Sequence, residues 1–314
     1  MAGPDSGAAL RAPADGVAAA VPPRAVADTA AQYRRAVGFV LMSSCLLSFN
    51  GLILRQIDDA SPWQVIFYRS AALGVAMSLL FVFRHRGRAL YEFRRAGINA
   101  MLAGALIGVA GVCFIQALSH TTVANTLFTL SSVPMFAAVF AWAMLGERVR
   151  RATWIAIGVS MVGIAIMVAD GFGSGTVIGN LLALATAVLF ALYVVSLRRN
   201  SHVDMLASVC FAALFSMSIG GIMAADLAVS LPDIVLCILW GGCLSCAGHA
   251  LFTLGSRHVP AAEITLIALV EMMLGPLWVW LIVDEVPGAL TLAGGAVVLA
   301  AIVGWSLARR RAGA

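Results

Sequence analysis

Apolar residues fall into ten runs along the chain, approximately 36–54, 62–83, 97–118, 122–145, 152–168, 177–197, 204–224, 232–253, 259–283 and 287–307. Each is close to the roughly 20 residues that a helix rising about 1.5 Å per residue needs to cross a hydrocarbon core about 30 Å thick. The polar gaps between them are too short to hold a soluble domain. Lipid offers no hydrogen-bond partners to an open backbone, and the period-two alternation of a transmembrane barrel is absent, so the runs are predicted to be helices. The expected fold is an all-α polytopic membrane protein of ten transmembrane helices.

The pattern repeats. Gly38 and Phe49 match Gly179 and Phe190 at one offset, and the stretch His120 to Ala124 and on through Trp142-Ala-Met-Leu-Gly-Glu147 aligns without gaps on His258 to Ala262 and Trp280-Leu-Ile-Val-Asp-Glu285. Five helices per copy is an odd number, so the second copy enters the membrane upside down. The chain is therefore expected to be two inverted five-helix repeats, 34–171 and 172–308, an arrangement used by transporters. Residues 1–33 are expected to form a disordered cytoplasmic arm, and 309–314 a cytoplasmic tail.

Composition adds a constraint on partners. The chain is 61% hydrophobic and 11% charged, and all 20 of its Lys and Arg residues are arginine, for a net charge of +5. A basic chain can suggest nucleic acid, but no aromatic-interleaved basic face or basic module is present. The arginines sit in alternate gaps instead: Arg84 to Arg95, Arg148 to Arg151, Arg198 and Arg199, Arg257, and Arg309 to Arg311, against Arg55 alone on the other side. Positive charge is retained in the cytoplasm, so both termini are expected there, in a plasma membrane that for a bacterium is the inner one. The six cysteines all fall inside apolar runs, which excludes an extracellular disulfide framework; Cys243 and Cys246 are spaced to share a helix face, but four metal ligands are not at hand, and no cofactor is expected.

Leu145-Gly146-Glu147 and Val283-Asp284-Glu285 each end a run and precede a glycine-bearing one (Gly158 and Gly163; Gly294 and Gly295). With Pro62, Arg69 and Pro134, these make the sequence resemble the drug/metabolite transporter superfamily, in its EamA-like ten-span group, over residues 36 to 307. The resemblance implies a secondary transporter, with export of a small polar or amphipathic metabolite such as an amino acid. Two departures stand out. Where an acid–proline pair is common in the ninth run, this chain reads Glu271-Met-Met-Leu-Gly-Pro276, and Asp284 stands where glycine is usual.

An ionisable group at mid-membrane costs about 2.5–3.5 kcal/mol on insertion scales and is a functional candidate for that reason. Glu271, halfway along the ninth run, can take up a proton, bind a cationic group or pair with an arginine. Arg69, two turns into the second run, can hold a substrate carboxylate, snorkel to headgroups or lock to Glu271. Asn50, Gln116, Asn125 and His249 are polar groups in apolar runs, able to line a cavity or to bond helix to helix. Tyr193 is a further candidate or an interfacial anchor, and Trp278 and Trp280 are expected in an interfacial belt, with a stacking platform as the alternative. Glu263, after Pro260, is expected to complement a helix N-terminus. Pro134 and Pro276 are expected to break their helices and act as hinges. Gly104-x-x-x-Gly108 and the row Ala183, Ala187, Ala191 predict close helix approach. A small-molecule substrate, the lipid bilayer and a monomer or homodimer complete the expectation. An intramembrane enzyme would need a nucleophile–base pair or ligand cluster, and no HExxH, GxSxG or paired intramembrane aspartates occur; a purely structural role leaves Glu271 an unexplained cost unless Arg69 neutralises it.

Overall fold

The computed structural model describes residues 23–54, 56–121, 123–167, 169, 176–283 and 289–312. Among these every regular element is helical: α1 (Pro23–Leu47), α2 (Asn50–Leu54), α3 (Pro62–His85), α4 (Ala89–His120), α5 (Val123–Leu130), α6 (Val133–Leu145), α7 (Arg151–Met167), α8 (Val177–Arg199), α9 (Leu206–Met223), α10 (Leu231–Ile238), α11 (Cys246–Gly255), α12 (Ala261–Ala268), α13 (Val270–Val283) and α14 (Ala289–Ala312). A π-helical segment, Leu239–Ser245, joins α10 to α11. Helix α1 starts at Pro23, so part of the arm expected at 1–33 is helical, as Pro at the first position of an Ala-rich stretch favours. The first 22 residues and Asp284 and Glu285 lie outside the described residues.

Six helical stretches are long and apolar enough to cross a membrane: Ala31–Leu54, Pro62–His120, Thr126–Leu145, Val177–Arg199, Leu206–Met223 and Leu231–Gly255. At 59 residues, Pro62–His120 is far longer than one crossing needs. It is interrupted by a 3-10 turn at Arg86–Arg88 and by a kink at Gly97, whose φ of 50° is natural for glycine alone, and its two parts pack on each other. That kink falls where the apolar run 97–118 begins. Arg151–Ile166 and Leu292–Ala308 are shorter apolar helices. Large side chains such as Val75, Ile155 and Ile222 face outward at 63%, 66% and 75% exposure, a surface suited to lipid rather than water.

Helix starts follow local chemistry. Ser61 and Gln64 form a reciprocal capping box ahead of Pro62 in α3, and Thr176 accepts from the Gly179 backbone at the start of α8. Inside the bundle, α4 packs against α8 and α9, α3 against α9 and the π segment, α1 against α11 and α12, α6 against α8 and α12, and α7 against α14. Small residues permit this. A methyl group on Gly104 would meet the Ser208 carbonyl oxygen at 2.6 Å, one on Gly108 would meet that of Ala212 at 2.8 Å, and Ala183, Ala187 and Ala191 are fully buried. The close approach predicted from these spacings is present.

Helix α3 is tied at both ends. At its start the Gln64 amide donates to Asp226 (2.7 Å), the Tyr68 hydroxyl donates to the Leu227 carbonyl (2.6 Å), and Asp233 accepts from the Asp59 and Ala60 backbones (3.1 Å each). At its end, buried Asp204 accepts from Arg84 Nε (3.1 Å), His85 Nε2 (2.8 Å), Arg257 (3.0 Å) and the Leu206 backbone (3.1 Å). Arg198 adds a bond to Glu147 (3.2 Å) and another to the Arg257 carbonyl (2.7 Å).

Candidate functional site

Four apolar helical runs are interrupted along their length. The first parts at Ser48–Phe49, between α1 and α2, and another carries the π segment. Ser131–Ser132 separates α5 from α6, with turns in which Ser131 donates to Phe128 O (3.1 Å) and Ser132 to Thr129 O (3.1 Å). Leu269 separates α12 from α13, donating to Leu266 O (3.2 Å). Pro134 lies at the start of α6, where its missing N–H costs nothing, so it sits at the break as expected. Pro276 does not. The interruption falls at Leu269 instead, and α13 runs on through Pro276, whose loss of a single ladder bond the helix absorbs. Breaks of this kind leave backbone and side-chain polar groups free to face a cavity at membrane depth.

A cavity of about 600 Å³ opens among these breaks, walled by residues from both halves of the chain, with Asn50, Arg69, Trp240, His249 and Glu271 as its distinctive members. That volume is typical of a small-molecule site. Glu271, in the first turn of α13, accepts at Oε1 from the Asn50 amide at 3.3 Å. Asn50, at the start of α2, accepts in turn from Trp240 Nε1 at 2.6 Å. An indole N–H only donates, so Asn50 must present its oxygen to Trp240 and its NH2 to Glu271. The guanidinium carbon of Arg69 stands 4.9 Å from the centroid of the Trp240 ring. His249 donates Nδ1–H to the Ser245 carbonyl (2.8 Å), which leaves Nε2 as its acceptor.

Arg69 and Glu271 are thus brought to one cavity, yet among the described residues no ion pair joins them. Gln116 does not line the cavity; it is buried in α4 with its amide nitrogen unpartnered. Tyr193 is neither a cavity residue nor an interfacial anchor. It is 1% exposed, 3.4 Å from the Thr253 hydroxyl, and packed near Phe190, because the small-residue face of α8 draws that helix into the core. The Asn125 side chain lies outside the described residues, as do those of Pro276 and Trp280. Trp278 stacks on Phe49 at 4.7 Å and donates to the Ser48 hydroxyl at 2.6 Å, bracing the break between α1 and α2 rather than joining an interfacial belt. Glu263 is buried in the first turn of α12 and accepts from the Tyr33 hydroxyl at 3.1 Å. Cys243 is exposed and Cys246 buried, since the wider π turn rotates them off a common face.

Trp240 is the member that sequence reasoning missed. The available signal was the pair Gly241-Gly242 following it within an apolar run, since glycine inside a helix is unfavourable by about 1 kcal/mol and marks close backbone approach. Gly241 lies directly against the Arg69 backbone: a methyl group there would fall on the Arg69 carbonyl oxygen and 2.9 Å from its carbon.

Comparison with known proteins agrees with this geometry. Residues 34–169 match the EamA-like transporter family. Pseudopaline exporters (CntI) from two strains of Pseudomonas aeruginosa are 26% identical over 280 residues, covering 86% of this chain and 95% of each relative. A solved crystal structure superposes with a TM-score of 0.75 at 19% identity, over 88% of this chain and 98% of that one, so the fold is shared.

Proposed function

We propose that this chain, a multi-pass membrane transporter of the drug/metabolite transporter type that carries an EamA-like domain and is not an enzyme, exports a small polar or amphipathic metabolite, an amino acid or similar compound, by alternating access. The observation that carries this reading is the cavity of about 600 Å³ at the junction of several broken helices, with a guanidinium and a carboxyl on its wall that do not neutralise each other. Export, rather than uptake, is supported by what the two relatives are named for.

In this reading ten transmembrane helices form two inverted repeats, 34–171 and 172–308, with both termini in the cytoplasm of a bacterial inner membrane. The packing supports it: exchanging each helix of one repeat for its counterpart turns the contact of α4 with α8 into that of the α10–α11 stretch with α1, and the contacts of α5 and α6 with α8 into those of α12 and α13 with α1. The helix breaks at Ser131 and Leu269 are also counterparts under the His120-to-His258 alignment. Access alternates as packed bodies rock about the cavity, with the breaks serving as hinges. Glu271 takes up and releases the coupled proton, and Asn50 and His249 contribute polar contacts to the substrate.

The test compares metabolites inside and outside cells expressing wild type or Glu271→Gln at matched membrane levels. A compound expelled by the wild type alone supports both export and the role of Glu271. Identical profiles for the two proteins and a cell without either would end the export reading, and a Glu271→Gln variant with full rate and an unchanged pH profile would end proton coupling. A purely structural role for the two charged groups would need them paired, which the geometry does not favour.

A further inference from the structure

Arg69 is a cation on a cavity wall without a counter-ion. No carboxylate pairs with it among the described residues, and its Nε is buried with no acceptor. A buried guanidinium left in this state is costly unless another group completes it. Its partner among the described residues is the face of Trp240, at 4.9 Å. A cation over an aromatic face is held by the ring's quadrupole and commits none of its five N–H donors. Trp240 cannot turn away, because its indole N–H is anchored on Asn50 at 2.6 Å and its π-helical turn lies against the Arg69 backbone through Gly241. Gly111 lets α4 come close to the guanidinium: a methyl group there would already touch the terminal nitrogen at 3.5 Å.

We propose that Arg69, seated on Trp240, is a subsite for a substrate carboxylate, and that Trp240 is its positioning residue; the inference rests on the cavity being the transport site. A planar guanidinium matches a carboxylate by two parallel N–H···O bonds. Arg69 is the one guanidinium on the cavity wall among the described residues, so a dianionic phosphate would carry a second charge with nothing to meet it. Much of the remaining wall is apolar, including Leu73, Phe114, Leu127, Phe190 and Phe252, and takes a hydrophobic body. Glu271, with Oε1 held by Asn50, offers its other oxygen to an ammonium or hydroxyl elsewhere on the same molecule. The substrate class is an amphipathic monocarboxylate, amino acids with large side chains included.

The test uses benzoate as the probe on purified protein in a neutral detergent, with binding read by saturation-transfer NMR. Benzamide has the same shape without the charge, and phenyl phosphate has a second charge. Benzoate is expected to bind at least about tenfold more tightly than benzamide, and Arg69→Gln to bring it down to the benzamide level. Arg69→Lys, which keeps the charge but loses the fork, falls between. Trp240→Phe keeps an aromatic face and costs a few-fold; Trp240→Leu removes it and costs about tenfold. Equal binding of benzoate and benzamide by the wild type, or undiminished benzoate binding by Arg69→Gln, overturns the subsite without needing any variant of uncertain folding in the first case. Tighter binding of phenyl phosphate overturns the carboxylate assignment. Benzoate binding with no metabolite export would sink the export reading alone, and export without Arg69-dependent benzoate binding would sink this one alone.

Discussion

Gly241→Ala tests whether the cavity depends on backbone contact between the π segment and α3. The new methyl group would fall on the Arg69 carbonyl oxygen, and the carbon behind that oxygen lies 2.9 Å away, where ordinary contact begins at 3.4 Å. Both sides of the clash are backbone, so no flexible side chain can yield. The two helices must separate by about 1 Å, an overpacking that costs about 1–3 kcal/mol. The same movement displaces Trp240, whose 2.6 Å bond to Asn50 has little slack. Asn50 then loses the anchor that orients its amide toward Glu271. The expected result is a fall in export of at least about tenfold, equivalent to about 1.4 kcal/mol, with a lowered melting temperature in detergent. The neighbouring Gly242→Ala is the control, because its methyl group would meet Ala72 at an ordinary 3.8 Å. Both substitutions alter helix propensity in the same direction, so a difference between them reports the contact. If Gly241→Ala exported and melted like Gly242→Ala, the argument from close approach would be refuted.

Other perturbations have separate readouts. Asp204→Ala strands three basic side chains whose exposures of 42%, 27% and 18% let water relieve part of the loss, so about 2–3 kcal/mol and a melting temperature lower by roughly 4–8 °C are expected; a change under about 1 °C would show the cluster to be solvated. Gly104→Val drives a branched side chain into Ser208 and Phe211 and should prevent stable folding, read as loss of a monodisperse peak in size-exclusion chromatography, whereas Gly38→Val, with open space around it, should not. Tyr193→Phe removes a hydroxyl that lies 3.4 Å from that of Thr253 and has no place on the cavity wall, so export should stay within about twofold of wild type; a larger loss would give Tyr193 a role that its position does not.

The helical architecture was legible because the bilayer imposes one length and one backbone solution, and small-residue spacing made the approach of α4 to α9 readable at Gly104 and Gly108. Glu271, Arg69, Asn50 and His249 were legible as polar residues at odds with their surroundings, and all four line the cavity. Whether such a residue faces a cavity or another helix depends on the neighbour across from it, which one chain's periodicity does not contain; Gln116 and Tyr193 turned into packed interfaces for that reason. Trp240 was hidden because an aromatic residue in an apolar run breaks no rule. Its significance comes from the π turn beneath it and from two partners far away in sequence. Proline marked one helix break and missed the other, since Leu269 carries no local signal of its own.

The anchoring of α3 has a consequence for assembly. By sequence this helix lies in the first half of the chain, yet Asp226, Leu227 and Asp233 hold its start, Gly220 and Gly241 touch its backbone, and Asp204 holds its end, all of them from the second half. Any displacement of α9 and the π segment therefore carries α3 along. The halves clasp like interlocked fingers, the first lending α3 to the body of the second. One continuous chain ensures that both halves are made together and in equal number, because neither, synthesised alone, could bury the surface that α3 shares with α9 and the π segment.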